Sequence, residues 1–437
     1  MKEFKVKRYD HARVEKRRQG VRAAVVTALL GAGALAAGWM AYPSVYDFVT
    51  GWEPPALQTP AQPAPGPASS EAPSSLPEEE PPEEEAVFPA AAAYLPPELL
   101  EDEERLEQEL ASLREKGVEG VVFDLKDAEG LVRYQSGLEQ VAKNRAQAEN
   151  AYDLGRRLGQ IRRAGMTPVG RLYAFRDRTS TAHMYESAVK YMNSTVNWID
   201  DSQANGGKPW LNPNNGEAQD YILALVEEAA QKGVGTILLD GVQFPEGVAL
   251  DLATYGNTGP LDKSGILAGF LTRARAAGEG EGSRVAVTVN LISAAGLSDV
   301  RYGPDVGSLL TAAGAGVVEV MPEQFGNGVT SEALTLSSPV LDPYKTVTEG
   351  IRAASSALGM PGEEDEEDNG EEDAAAGQGL QVPLAAVIQA YTSGTLSQSG
   401  NKPYGPEEIR AQVRAARQAG IEPVIYLDPA GEYAGLG

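Results

Sequence analysis

From residue 86 onward the chain alternates between two hydrophobic periods. Short runs, apolar or β-branched almost throughout, are followed by longer stretches with an apolar residue every three or four positions. These are the marks of buried strands and amphipathic helices. Eight runs read as strands: "AVFPAAAAY" (86–94), "GVVFDLK" (120–126), "TPVGRLYAF" (167–175), "GTILLDGV" (235–242), "RVAVTVN" (284–290), "GVVEVM" (316–321), "LAAVIQAY" (384–391) and "PVIYLD" (423–428). Between them, residues 216–232 put Ile222, Leu225, Val226 and Ala229 on one helical face and end before Gly233. The stretch "GPEEIRAQVRAARQAG" opens with Pro406, Glu407 and Glu408 in a first turn and stops at Gly420. Eight strands separated by helices in one repeating order predict an α/β fold, a (β/α)8 TIM-type barrel over residues 86–437. An open doubly wound sheet is the alternative, but no glycine-rich phosphate loop follows an early strand, so nucleotide binding has no support. The acidic stretch at 361–379 is expected to be a disordered insertion on the face opposite the strand ends, and it lacks EF-hand spacing.

Ahead of residue 86 the pattern changes. Residues 1–20 form a basic arm, and 21–42, "VRAAVVTALLGAGALAAGWMAY", give about twenty mostly apolar residues, enough to cross a bilayer as a helix. Trp39 and Tyr42 fall where interfacial aromatics are expected, and the basic arm predicts a cytoplasmic N-terminus. The span reads as a single transmembrane signal anchor, with a cleaved signal peptide and a secreted product as the alternative. Residues 43–85, rich in Pro, Ala and Glu, then form a disordered, self-repelling spacer that holds an extracytoplasmic barrel off the membrane.

Composition narrows the chemistry. A net charge of −25 argues against a nucleic-acid-binding surface. With no cysteine and only His11 and His183, thiol nucleophiles, Cys-based zinc sites and a His-based triad are disfavoured, and no metal or cofactor is expected.

In a barrel the chemistry sits where the strands end, and side chains alternate along each strand. If Asp240 points inward so do Leu238 and Thr236, while Ile237 and Leu239 face the helices. The same parity puts Asp124 and Lys126, Arg171 and Tyr173 (with Phe175 at the lip), Asn290, Glu319 and Glu323, Gln389 and Tyr391, and Asp428 at the mouth. Carboxylates, amides and aromatic rings together suit a sugar. Hydrolysis of a glycosidic bond needs one protonated and one ionised carboxyl, which Asp240 could supply with Glu323 or Glu319. Structural alternatives stand beside this. Asp240 could pair with Arg171 across the barrel, "FDLKDAEG" could bond within itself and cap a turn, and Glu319 could be a buried, paired acid.

The segments "VVFDLKDAEGLVRY", "TPVGRLYAFRD", "WLNPNNGEAQDYILALVEEAAQKGVGTILLDGVQFP" and "YGPEEIRAQVRAARQAGIEPVIYLDP" resemble the putative glycoside hydrolase domain family of bacterial membrane-anchored and secreted proteins. The resemblance covers about residues 86 to 430 and implies a glycosidase-type barrel with a polysaccharide or oligosaccharide partner. The family block around Asp240 reads closer to FDYVRFP, so Gln243 replaces its Arg. Asn290 stands where the family has an Asp, and "MPEQF" with Glu323 replaces a Tyr-Pro pair. The expected assignment is therefore Asp240 and Glu323 as catalytic residues, with Glu323 as general acid. Asp124, Lys126, Arg171, Tyr173, Gln243, Asn290 and Tyr391 are expected to hold substrate. A catalytically inactive, carbohydrate-binding relative is the alternative.

Overall fold

The structure, a computed structural model, describes residues 86–257, 259–296, 301–360, 380–394 and 402–436. The expected arm, membrane span and spacer (1–85) and the acidic insertion at 361–379 lie outside the described residues. Among the described residues, no helix is long and apolar enough to cross a membrane.

Eight parallel strands form the centre: β1 (Ala91–Leu95), β2 (Gly120–Lys126), β3 (Thr167–Tyr173), β4 (Thr236–Asp240), β5 (Arg284–Asn290), β6 (Gly316–Glu319), β7 (Leu384–Gln389) and β8 (Val424–Leu427). Each pairs with the next in sequence, and β1 pairs with both β2 and β8, so the sheet closes into a barrel. All eight strands coincide with runs predicted above. Closure leaves no open edge in the ring, which is how a parallel sheet of this size satisfies its backbone.

Helices α1 (Glu103–Glu115), α2 (Leu154–Arg163), α3 (Gly216–Gln231), α4 (Lys263–Glu279), α5 (Val306–Ala313), α6 (Pro343–Leu358) and α7 (Pro406–Gln418) link successive strands. The first six start the same way. Asp102, Asp153, Asn215, Asp262, Asp305 and Asp342 each occupy an N-cap and accept a hydrogen bond from an N–H of the first turn. Those N–H groups have no partner within the helix, so each cap fixes the point where a loop from the barrel mouth must hand over to a helix. In α7 the Glu408 carboxylate accepts from the Gly405 N–H at 3.0 Å.

Alternation along the strands divides the core in two. Ile237, Leu239, Val121, Phe123, Val287 and Ile388 face outward into one large cluster with the helices. Val122, Val169, Leu238, Ala286, Val317, Ala385 and Ile425 face inward, and Phe88 packs into the same interior cluster. The barrel is thus filled below its mouth by apolar side chains.

Several additions escaped the hydrophobic pattern. Val132–Tyr134 pairs antiparallel with the end of β2, and Gln147–Tyr152 pairs parallel with it. The long loops after β3 and β4 are joined by a two-residue ribbon, Lys190–Tyr191 against Ala253–Thr254. They enclose a satellite core of Val189, Trp198 and Trp210. Trp210 is packed there and donates to the Asp200 carboxylate at 3.0 Å.

Candidate active site

Three pairs of register neighbours build the site. In a parallel barrel, residues paired across adjacent strands lie side by side and point the same way. Asp124 of β2 is paired with Arg171 of β3, Tyr173 of β3 with Asp240 of β4, and Asn290 of β5 with Glu319 of β6. One acid therefore stands beside a guanidinium, one beside a phenol and one beside an amide.

The first pair is closed on itself. Arg171 Nε donates to Asp124 Oδ1 at 2.7 Å, and the Tyr94 hydroxyl donates to Asp124 Oδ2 at 2.9 Å. The guanidinium carbon lies 4.5 Å from the Tyr94 ring centre and 5.1 Å from that of Tyr173. Such a sandwich adds about 0.5–2 kcal/mol and holds the guanidinium plane in place. Burial pushes the Tyr94 hydroxyl pKa above the usual phenol range, with the Asp124 charge next in effect, so it stays a donor.

Asp240 ends β4 at a sharp turn. Gly241 adopts φ +60, and its N–H donates to Asp240 Oδ1 at 2.6 Å. A side chain at Gly241 would be strained at that angle. The Tyr173 hydroxyl also bonds to Asp240. Arg171 stands farther off, with Nη1 3.9 Å from Asp240 Oδ2. The pairing of Asp240 with Arg171 weighed above is thus a long contact, since Asp124 holds the guanidinium.

Glu319 accepts from Gln324 Nε2 at 3.0 Å and from the Asn290 side chain. The Asn290 amide is oriented by its own backbone, because its Oδ1 accepts from the Ile292 N–H at 3.0 Å. Burial and then the nearby Asp240 charge push Glu319 up to about 7. Burial raises Asp240 as well, against the opposing pull of Arg171. The Asp240 charge thus disfavours ionisation of Glu319. Arg171, Asp240, Thr288 and Glu319 help line a cavity of about 20 Å³, room for roughly one water.

The remaining expected residues are dispersed. Glu323 sits on the turn Pro322–Phe325, where it accepts from the Tyr391 hydroxyl. Gln389 holds that turn by accepting from the Glu323 N–H at 3.1 Å. Gln243 is buried, accepts from Tyr302 at 3.3 Å and donates to Glu246 at 3.5 Å. Lys126 departs most from its expected place. The register of β2 shifts between Asp124 and Lys126, pairing Lys126 with the outward-facing Leu172. Its Nζ then forms a fully buried ion pair with Asp177 at 3.0 Å and donates to the Tyr173 carbonyl at 2.7 Å. Asp127 caps the following turn, accepting from the Glu129 and Leu131 N–H groups, which is the local bonding weighed for "FDLKDAEG". Phe175 lies away from the lip, packed 5.1 Å from the Phe270 ring in the outer core.

Tyr94, Thr288, Tyr302 and Gln324 were not singled out in the sequence. Alternation could have found Tyr94 and Thr288, two residues beyond inward-facing Ala92 and Ala286. Tyr302 and Gln324 come from loops, where no periodicity operates.

An eight-stranded parallel barrel with carboxyl groups at its strand ends is an architecture on which glycosidic-bond hydrolysis can be built. Residues 92–433 match the family described as "Putative glycosyl hydrolase domain", and the chain belongs to that family. Among solved structures, the chain is similar to the glycoside hydrolase domain of PgaB (BpsB) from Bordetella bronchiseptica. They share 15% identity over 78% of this chain and 94% of that one, with a TM-score of 0.52, a likeness of fold. A hypothetical protein from Ruminiclostridium thermocellum is 27% identical over 45% of this chain and 96% of that one, with a TM-score of 0.40. No curated protein matched the chain.

Proposed function

We propose that the protein is a glycoside hydrolase whose reacting groups are Asp240 and Glu319. The observation that carries this reading is the Glu319 carboxyl, raised to about 7 by burial and by Asp240 beside it. Glycosidic cleavage needs one carboxyl that keeps a proton at working pH and one that is ionised. Glu319 is the proton donor to the leaving oxygen. Asp240, supported by the Gly241 N–H, the Tyr173 hydroxyl and more distantly Arg171, is the ionised partner, acting as nucleophile or charge stabiliser. Glu323, the general acid expected from sequence, becomes a substrate contact together with Tyr391. Asp124, Arg171 and Tyr173 shape the opposite side of the sugar subsite. We further propose that residues 21–42 anchor the chain in a membrane, with the barrel outside acting on an envelope or extracellular polysaccharide; the sequence pattern supports this.

The test is release of reducing ends from envelope polysaccharides and peptidoglycan by the full chain. Asp240→Asn and Glu319→Gln are each expected to lower the rate by at least about 100-fold. Glycan retained in a pull-down without release would instead identify a binding protein. Release that survives both substitutions would place the chemistry elsewhere.

A further inference from the structure

A charged pair lies behind the reacting groups, on the outward side of the barrel wall, where Lys126 is in register with Leu172 of the outer core. Lys126 and Asp177 face each other at 3.0 Å, both side chains wholly buried. Among the described residues no group donates a hydrogen bond to Asp177 Oδ2, so the ammonium beside it is its compensation. The other oxygen, Oδ1, accepts from the Ser180 N–H at 2.7 Å and caps the helical turn Arg178–Thr181. Gly130 closes over the same carboxylate: a Cβ there would fall 1.8 Å from Asp177 Oδ1. Taking two charges out of water can cost more than their attraction returns, and an apolar pair often fills such a place at least as stably. The pair therefore calls for a role that apolar side chains cannot take.

The ammonium supplies one. Lys126 Nζ donates to the Tyr173 carbonyl at 2.7 Å and to the Ala174 carbonyl at 3.3 Å, the two peptide groups on which β3 leaves the barrel. Tyr173 is in register with Asp240, and its hydroxyl bonds to the Asp240 carboxylate. The Ala174 N–H donates to the Asp240 carbonyl at 2.7 Å. One buried cation thus grips, from behind, the short stretch of chain that meets both the side chain and the backbone of Asp240. A neutral version of the device holds β7. Gln412, wholly buried on α7, accepts from the Gln389 N–H at 3.1 Å and donates to the Gln389 carbonyl at 2.9 Å. Gln389 in turn accepts from the Glu323 N–H. Charge-assisted bonds are shorter and stronger than those of an amide, so the firmer grip falls on the strand beside Asp240.

We propose that Lys126, with Asp177 as its counter-ion, is a positioning residue: it holds the end of β3 so that the Tyr173 hydroxyl stays on Asp240 and fixes where that carboxylate stands. The role of Asp240 rests on the glycosidase reading, but the test reads its protonation without any substrate. The full chain, carbon-13 labelled at aspartate, is titrated by NMR, the Asp240 signal being the one lost in Asp240→Asn. Lys126→Met combined with Asp177→Asn removes both charges together and keeps an acceptor for the Ser180 N–H, and melting curves check that it folds. In this double variant the proton affinity of Asp240 should rise about threefold or more, because the Tyr173 bond that favours the ionised form is loosened. Asp177→Asn alone leaves the amine on both carbonyls and should not raise it. In a Tyr173→Phe background the double substitution should add little, since the link is already cut. Lys126→Gln with Asp177→Asn, whose shorter amide cannot span the same distance, gives the same reading if the first pair does not fold. An Asp240 titration that stays put in a folded double variant, or moves equally with and without the Tyr173 hydroxyl, overturns the proposal. A shifted titration in a protein that cleaves no glycan keeps it and removes the hydrolase reading. Cleavage that depends on Asp240, beside a titration that does not move, does the reverse.

Discussion

The β1–β3 wall of the mouth and the β6–β8 wall use similar residues but end in different electrostatic states. On the first, Asp124 has Arg171 and Tyr94 as partners, and Arg171 is enclosed by two aromatic rings. On the second, Glu319, Glu323 and Asp428 bond to an amide, a phenol and backbone N–H groups, with no ion pair among the described residues. Both walls place acids on strand ends, so position alone does not separate structural from reactive carboxylates. The number of charged partners does. A carboxylate paired to a buried guanidinium contributes rigidity, whereas one left short of a partner has a pKa free to move and a lone pair free for substrate.

Breaking the satisfied wall should have the largest effect. Arg171→Met strands Asp124 in a buried site, and loss of one partner of such a pair costs about 3–5 kcal/mol. The melting temperature should fall by several degrees, whereas an equal melting temperature would show that the pair is dispensable. Glu319→Gln should act in the opposite sense. The folded-state pKa of Glu319 is raised from 4.5 to about 7, so the folded form binds its proton more tightly than the unfolded chain. Stability attributable to this group is therefore full below pH 4.5, falls as the pH rises towards 7 and is constant above that. Melting curves over that window should flatten in Glu319→Gln, and an unchanged slope would show that Glu319 titrates normally.

A finer test addresses the amide between the walls. Asn290→Asp removes the donor to Glu319 and adds a negative charge, so the Glu319 pKa should move further up. Carbon-13 NMR titration of labelled glutamate would read the shift without any substrate. A downward or absent shift would remove Asn290 from its positioning role. The smallest effect belongs to the scaffold: Asn215→Ala removes the N-cap of α3 and should cost about 1 kcal/mol while leaving the Glu319 titration in place.

The fold was legible because period and parity are local properties. The inward set Thr236, Leu238 and Asp240 follows from a period of two, and all eight strands were visible as apolar runs. The first, Ala91–Leu95, overlaps its predicted run of 86–94 and extends one residue beyond it. The site was less legible, for two reasons. The irregularity in β2 breaks the parity that put Lys126 in the mouth, and a one-residue shift turns a side chain to the other layer. The register that sets Glu319 beside Asn290 is a contact between strands, which neither run shows alone. The exchanges at Gln243 and Asn290, read from sequence only as departures, gain physical content here. Each amide accepts one hydrogen bond and donates another, so neither adds charge to the mouth.

The closing seam between β1 and β8 has a consequence for the order of events in synthesis. Ala91 is in register with Val424, and Tyr433 donates to the Tyr94 carbonyl at 2.6 Å, a contact spanning 339 positions. A chain emerging N-terminus first therefore holds its first barrel strand unpaired on one side until the last has been made. Folding that depends on such distant contacts is slow and leaves edges exposed in the interval. Clipping the chain just before Val424 should open the ring at the strand that carries Tyr94, and with it the arginine clamp more than 250 residues away.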